Sequence, residues 1–566
     1  MKSRFLLFSF LLFFSCLSFF SCSDDPASEL GNPEISFSAE TGEYKVKIGK
    51  EITIEPTITN AVNPIYSWKL DGKIISTEET LVFKGQYLNE YFVTFRVDSE
   101  NGTTEKQVKI SVVDRLVPEI DLANTVLSFI GQSKEIAPAV SNTDETTTYE
   151  WRLEGELVSR EPAYTFEEEA KGSYSVSLKV TNEDGFTVAN SIITVVSELS
   201  PFLFFDIGRY YVPSDNTVKR MSVPFGKSMA LAPVFMMFTD AATFRWEVDG
   251  TAQSETGSVF NFSPGAQKEY LITVTATEGG KTASTQIKVK CVAPEGTYYR
   301  EATAKSKAKS SYCFEFIPAP GQFVNYQEGS TAEQARQAIQ RSLDNDSYNG
   351  SSYMVSLGAF GGYFITGFDH SVKNEEGPDL YIAGNPLGIY WCEPGVIWVM
   401  QDENGNGLPD DTWYELAGSE TGSPDTKQRY ALMYYRPTAD NSDILWIDNN
   451  GGAGSIDNNG YHTQRSYFPM FIKDEYYILS GTRLKTTFRT EGIETNWGFD
   501  WGYVDNVNLR DGFDISDAIG QDGKPVNLQY IDFVKVHTAQ LGKGAAVGEV
   551  STEAGAPLDY RMYKSN

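Results

Sequence analysis

The chain has 566 residues, enough for several domains, and sets 47 Lys plus Arg against 76 Asp plus Glu, a formal net charge of −29. A surface that acidic repels nucleic-acid phosphates and anionic lipid headgroups, so a nucleic-acid partner is excluded and membrane attachment needs some device other than a basic patch. Aromatics at 13% and 48 glycines favour strands joined by turns over helices.

In chain order, the first element is a leader. Lys2 and Arg4 precede an apolar run from Phe5 to Phe20, the pattern of a signal peptide over 1–21 rather than of a spanning helix. The run ends in Phe-Phe-Ser-Cys at 19–22, which resembles the cleavage box of bacterial lipoproteins. That resemblance implies a lipid on Cys22, with residues 22–34 as a polar tether. The Ser-Asp-Asp that follows Cys22 resembles the acidic export tag of Bacteroidetes surface lipoproteins. The expected location is the outer membrane, lipid-anchored and facing the cell exterior. Cys16 lies within the leader; the three cysteines beyond Cys22, namely Cys291, Cys313 and Cys392, are odd in number and lack CxxC spacing, so they read as buried free thiols.

An internal repeat follows. Its landmark is an aromatic, one residue, a Trp and a charged turn: YSWKLDG at 66–72, YEWRLEG at 149–155 and FRWEVDG at 244–250. After each comes a strictly alternating strand that runs into a Gly-containing turn and a closing strand, as in YSVSLKVTNEDG then NSIITVVS. Trp68, Trp151 and Trp246 stand mid-strand at equivalent places, which favours core packing over sugar platforms. The pattern resembles PKD-like immunoglobulin sandwiches. It predicts three of them, over 35–115, 116–198 and 199–293, acting as a stalk.

Beyond Cys291 the pattern changes. Arg300, Lys305, Lys307 and Lys309 lie in a segment that reads as a solvated linker or edge strand, or else a basic ligand patch. STAEQARQAIQRSLD at 330–344 predicts the one short helix, with Ser330 and Glu333 as a capping box and Ala335, Ala338, Ile339 and Leu343 as its apolar stripe. The rest alternates strands with Gly, Asn and Asp loops. The fold class expected is all-β: three PKD-like sandwiches, then a larger jelly-roll-like β-sandwich with one short helix over 294–566.

Two kinds of site are candidates there. From Asp402 in DENGNGLPDD, oxygen-bearing side chains fall at the first, third, fifth and ninth places: Asp402, Asn404, Asn406 and Asp410. Gly407 is sixth, and Leu408 would offer its carbonyl. The spacing resembles DxNxNG calcium loops and suits a structural Ca²⁺, although Trp413 occupies the twelfth place, where a bidentate Glu is wanted. The alternative is a strand-to-strand loop in which Asn and Gly accept positive φ. The second kind is aromatic. Trp391, Trp446, Tyr461, His462, Trp497, Trp501 and Tyr503 lie in or beside Asn- and Gly-rich loops. Alternation puts Trp497, Phe499, Trp501 and Tyr503 on one face of a strand, which is either core or a platform for a ligand. No GxSxG, HExxH or P-loop pattern occurs; catalytic residues and a catalytic cofactor are not expected. His370, His462 and His537, the three histidines, read as structural.

The run GVIWVMQDENGNGLPDDTWYELAGSETG, with YYRP, SYFP, LSGTRL, DWGYVDN, FDISDAI and IDFVKV, resembles a family of Bacteroidetes cell-surface lipoproteins with a C-terminal β domain after PKD-like repeats. Members look like components found beside TonB-dependent transporters, including those for cobalamin and other corrinoids. The resemblance implies a ligand-capturing lipoprotein that delivers a corrinoid to such a transporter. A glycan-binding surface lipoprotein is the alternative, and a calcium-dependent surface glycosidase the third reading.

Overall fold

The computed structural model describes residues 31–39, 42–325, 331–344, 354–489, 494–507, 512–544 and 547–565. The leader, Cys22 and Ser330 lie outside the described residues. The chain divides into two compact units, Met1–Leu116 and Val117–Asn566.

The first unit holds one sandwich. Its larger sheet runs Glu43–Lys47, Gly102–Val113, Asn89–Ser99, Ile65–Leu70, Lys73–Ser76, with the first pair parallel and the others antiparallel. The second unit repeats that order twice. The equivalents of Ile65–Leu70 are Thr148–Leu153 and Thr243–Val248, and each again lies fourth in a five-stranded sheet whose first strand pairs parallel with its second. The three Trp side chains have no exposed surface, and each indole donates to a backbone carbonyl ten or eleven residues on: Trp68 to Glu78 at 3.0 Å, Trp151 to Glu161 at 3.0 Å, Trp246 to Gly257 at 2.9 Å. The turns that follow, Asp71-Gly72, Glu154-Gly155 and Asp249-Gly250, have positive φ at both residues, as a two-residue hairpin with right-twisted strands demands. The Trp residues are therefore core.

Residues beyond about 310 form a two-sheet sandwich. One sheet has six strands, in the order Tyr312–Ile317, Tyr363–Lys373, Tyr530–Thr538, Gly395–Met400, Trp413–Leu416, Ala518–Ile519, all antiparallel. The other has four: Ala453–Ile456, Ile444–Asp448, Lys427–Tyr435, Tyr476–Arg483. Between them lies a core of Tyr363, Ile365, Met400, Tyr430, Leu432, Tyr434, Tyr477 and Phe533. The helix Ala332–Leu343 covers the outer face of the six-stranded sheet with the predicted stripe of Ala335, Ile339 and Leu343. Its cap is Thr331, one residue later than expected, in a reciprocal box with Gln334. A second, six-residue helix, Tyr560–Ser565, follows the last strand.

Both faces of the four-stranded sheet are buried, and this revises the stalk reading. Alternation along Lys427–Tyr435 sends Tyr430, Leu432 and Tyr434 inward and Ala431, Met433 and Tyr435 outward. The outward set packs against Val196 of the second sandwich and Phe204, Val234 and Met236 of the third. Polar contacts seal the seam: Ser197 Oγ donates to Glu475 at 2.9 Å, and Thr125 to Asp443 at 3.1 Å. An apolar outer sheet face needs cover, and the second and third sandwiches supply it. The basic segment is anchored as well. Arg300 pairs at 2.8 Å with Asp532, whose side chain is fully buried, so at that point the segment is neither a solvated linker nor a free ligand patch.

Candidate functional site

A cavity of about 400 Å³ opens in the C-terminal domain between the helix and the chain's last strands. Its walls include Phe323, Ser356, Trp391, Glu393, Glu549 and Glu553. The short antiparallel pair Val355–Ser356 with Glu553–Ala554 forms one side. Trp391 is held by a parallel bridge to Asn496, and Glu393 by its amide, which donates to the Asp505 carbonyl at 3.0 Å.

The cavity is rich in acceptors. Glu393 accepts from the Ser551 amide at 2.9 Å and from the Trp391 indole at 3.3 Å. Ser356 Oγ donates to Glu553 at 3.0 Å. Behind this lining, Asp505 brings a carboxylate oxygen within 4.8 Å of Glu393 and Glu553, and it accepts from the amides of Asn385 at 2.8 Å and Glu553 at 3.0 Å. Glu549 is 4% exposed; one oxygen accepts from the Gln322 amide at 2.8 Å, and Oε2 has no partner among the described residues. Burial pushes the Asp505 and Glu549 carboxyls up to about 8 each, with the Glu393 charge adding to both. Glu393 and Glu553 are also raised, by burial first and, for Glu553, by repulsion from Glu393 and Asp505. Among the described residues no Lys or Arg side chain is recorded in an ion pair with any of the four. Such a site favours ligands that bring hydrogen-bond donors or positive charge.

The predicted aromatics are only partly gathered there. Trp391 lines the cavity, and Phe488 meets its ring edge-on at 6.1 Å. His462 touches the wall through Phe323, ring centroids 5.0 Å apart, while the adjacent Tyr461 is 80% exposed. Trp497 packs on Tyr390, next to Trp391, at 4.7 Å and under the Arg489 guanidinium. The other three lie elsewhere. Trp446 is in the strand Ile444–Asp448, not a loop, and packs against the sandwich core. Tyr503 is buried beside Phe499, its hydroxyl accepting from the Glu420 amide at 3.0 Å. Trp501 is half-buried, its carbonyl accepting from Ser419 at 3.0 Å. The expected strand through Trp497, Phe499, Trp501 and Tyr503 does not form: regular pairing stops at Thr495–Asn496. The Asn506 amide instead bonds both the N–H of Phe499 at 2.8 Å and its carbonyl at 2.7 Å, and so takes the place of a ladder partner.

The loop after Gly395–Met400 is a tight Asx-type turn. Asp402 accepts from the Asn406 and Gly407 amides at 3.1 and 2.9 Å, and Asn406 Oδ1 from Leu408 at 2.8 Å. Asn404 and Asn406 both donate to Asp410, at 2.9 and 3.1 Å, and the Leu408 carbonyl accepts from the Asp410 amide at 2.9 Å. The predicted ligands thus converge, each engaged within the loop. Gly405 and Gly407 both take φ of 73°, which explains the glycines. His370 bridges Asp369 and Asp559 at 2.7 and 3.1 Å; burial lowers its pKa, and the two carboxylates more than reverse that. His537 is buried, accepts from the Trp398 indole at 3.0 Å and is driven down to about 3 by burial and by Lys535.

Sequence reasoning missed Glu393, Asp505, Glu549 and Glu553. They lie on three distant segments, and among 76 acidic residues no single carboxylate stands out.

The model of the PKD-like domain family matches residues 32–99 and 118–182, which lie in the first two sandwiches. The third sandwich shares their strand order, indole bond and turn. The chain therefore carries PKD-like repeats with an immunoglobulin-like sandwich fold, modules consistent with a surface or binding protein. Fibronectin(III)-like modules of Clostridium thermocellum CbhA are 16% identical over 29% of this chain and 95% of theirs, with a TM-score of 0.16. The titin I-band fragment I67–I69 is 11% identical over 46% and 99%, TM-score 0.14. Drosophila OTK extracellular domains 3–5 are 12% identical over 44% and 94%, TM-score 0.18. Scores that low carry no argument about function. No curated protein matches the chain.

Proposed function

We propose that the protein is a surface-exposed lipoprotein whose C-terminal domain captures a small-molecule ligand, most favourably a corrinoid such as cobalamin, in the cavity beside Trp391 for delivery to a TonB-dependent outer-membrane transporter. The observation that carries the reading is the cavity itself: about 400 Å³, with Trp391 and Phe323 in its walls and a surplus of carboxylate acceptors. A corrinoid is rimmed with primary amides that donate to such acceptors, while its apolar faces suit the aromatic edge. A cavity this size takes rim groups rather than the whole ring system, with Tyr390 and Tyr461, both exposed, available outside it. The transporter and the corrinoid come from the family resemblance, and the lipid anchor from Cys22 and its flanks.

A glycan is the second reading. A half-buried indole beside carboxylates and the Ser356 and Ser551 hydroxyls is also the chemistry that holds a sugar ring. In both readings, a calcium ion at Asp402, Asn404, Asn406, Asp410 and the Leu408 carbonyl would be structural, tying the loop together. Titrating the purified protein with cyanocobalamin and with a glycan panel separates the two. Saturable corrinoid binding supports the first and sugar binding the second; neither ligand binding would end both.

A further inference from the structure

The acceptor-rich wall of the cavity has a geometry that a neutral ligand does not require. Among the described residues, Glu393, Asp505 and Glu553 form the one group of three His, Cys, Asp or Glu whose ligand atoms all lie within 4.8 Å of one another. A Ca²⁺ ion binds oxygen at about 2.3–2.6 Å, so two of its ligands on opposite sides stand roughly 5 Å apart. Three oxygens within that span can therefore touch one ion together.

Two further observations point the same way. Glu549 lines the same cavity, is 96% buried by area, and keeps Oε2 without a partner among the described residues. A buried carboxylate oxygen with no donor is costly unless something supplies positive charge or a proton. Next to the group, Ser356 and Ser551 set two hydroxyls 2.8 Å apart, with Ser356 bonded to Glu553. These are hard, neutral oxygens of the sort calcium adds to a carboxylate set.

We propose that Glu393, Asp505 and Glu553 form a site for a hard divalent cation, with Ca²⁺ as the fitting ion, at the wall of the cavity. The site is separate from the 402–410 loop and shares no residue with it. It does not depend on which ligand the cavity takes, because the ion is tested alone. Bound there, it would neutralise the carboxylates and offer a positive centre to a ligand oxygen.

The test is calorimetry with CaCl₂ on the purified full-length protein stripped with EDTA. Saturable binding is expected that weakens at least ten-fold in Glu553→Gln and in Asp505→Asn. Where a variant fails to fold, terbium luminescence on the unaltered protein gives an independent reading. Trp391 donates directly to Glu393, so it should sensitise Tb³⁺ bound there, and Trp391→Phe should dim the emission. The proposal is overturned if the stripped protein takes up no Ca²⁺ or Tb³⁺. It is equally overturned if binding survives Glu553→Gln and Asp505→Asn but is lost in Asp402→Asn, or if emission is indifferent to Trp391→Phe.

Discussion

Glu415 gives a prediction whose size follows from one interaction. It is 5% exposed and sits in a small cavity between the third sandwich and the C-terminal sheets. Burial pushes its carboxyl from an ordinary 4.5 up to about 7, against the opposing pull of the Thr482 hydroxyl that donates to it. An acid raised in the folded state holds its proton while the unfolded chain has lost it. Its stabilising share is thus complete below the unfolded value, falls as pH rises from about 4.5 to about 7, and is flat above. A span of about 2.5 pH units at about 1.4 kcal/mol per unit gives about 3.5 kcal/mol. Glu415→Gln keeps the shape and an acceptor for Thr482 but cannot ionise. Denaturant unfolding at pH 4.5, 6, 7 and 8 should show the variant equal to wild type at the acid end and about 3.5 kcal/mol more stable at pH 8. A difference that does not change with pH, or a variant weaker at pH 8, refutes the reasoning.

Other outcomes follow from the same packing. Trp151→Ala should cost about 3–5 kcal/mol, since it empties a fully buried site and strands the Glu161 carbonyl; a variant that melts like wild type but loses sugar binding would make Trp151 a platform instead. Met433→Asp places an unpaired charge under the second and third sandwiches and should destabilise by about 3–5 kcal/mol, with new proteolytic cuts near residue 200. An unchanged digestion pattern would count against that seam. Cys22→Ser should move the protein from the membrane to the soluble fraction; continued membrane attachment would remove the lipid from the account.

The sandwiches were legible because their signals are local. A mid-strand Trp, an Asp-Gly or Glu-Gly turn and period-two alternation specify a strand and hairpin without reference to distant chain. The same holds for the apolar stripe of Ala332–Leu343 and for the long strands Tyr363–Lys373 and Tyr530–Thr538. Alternation misled at 497–503, where aromatics every second residue imitate a strand. Gly502 at φ 94° and the side-chain clamp of Asn506 break it. The seam under Met433 was hidden because an outward apolar face does not name what covers it. The cavity was hidden for a related reason: Glu393, Asp505 and Glu553 meet only through tertiary pairing of Val355–Ser356 with Glu553–Ala554 and the hold of Asn385 and Glu553 on Asp505.

The measurement closest to the central claim is the affinity of the purified protein for cyanocobalamin and for a glycan panel, set beside that of Trp391→Ala. Capture in the cavity predicts saturable binding of one of these ligands and a loss of about 2 kcal/mol, roughly thirty-fold in Kd, on removing the indole. Binding that is unaltered by Trp391→Ala, or no binding to either class, contradicts it.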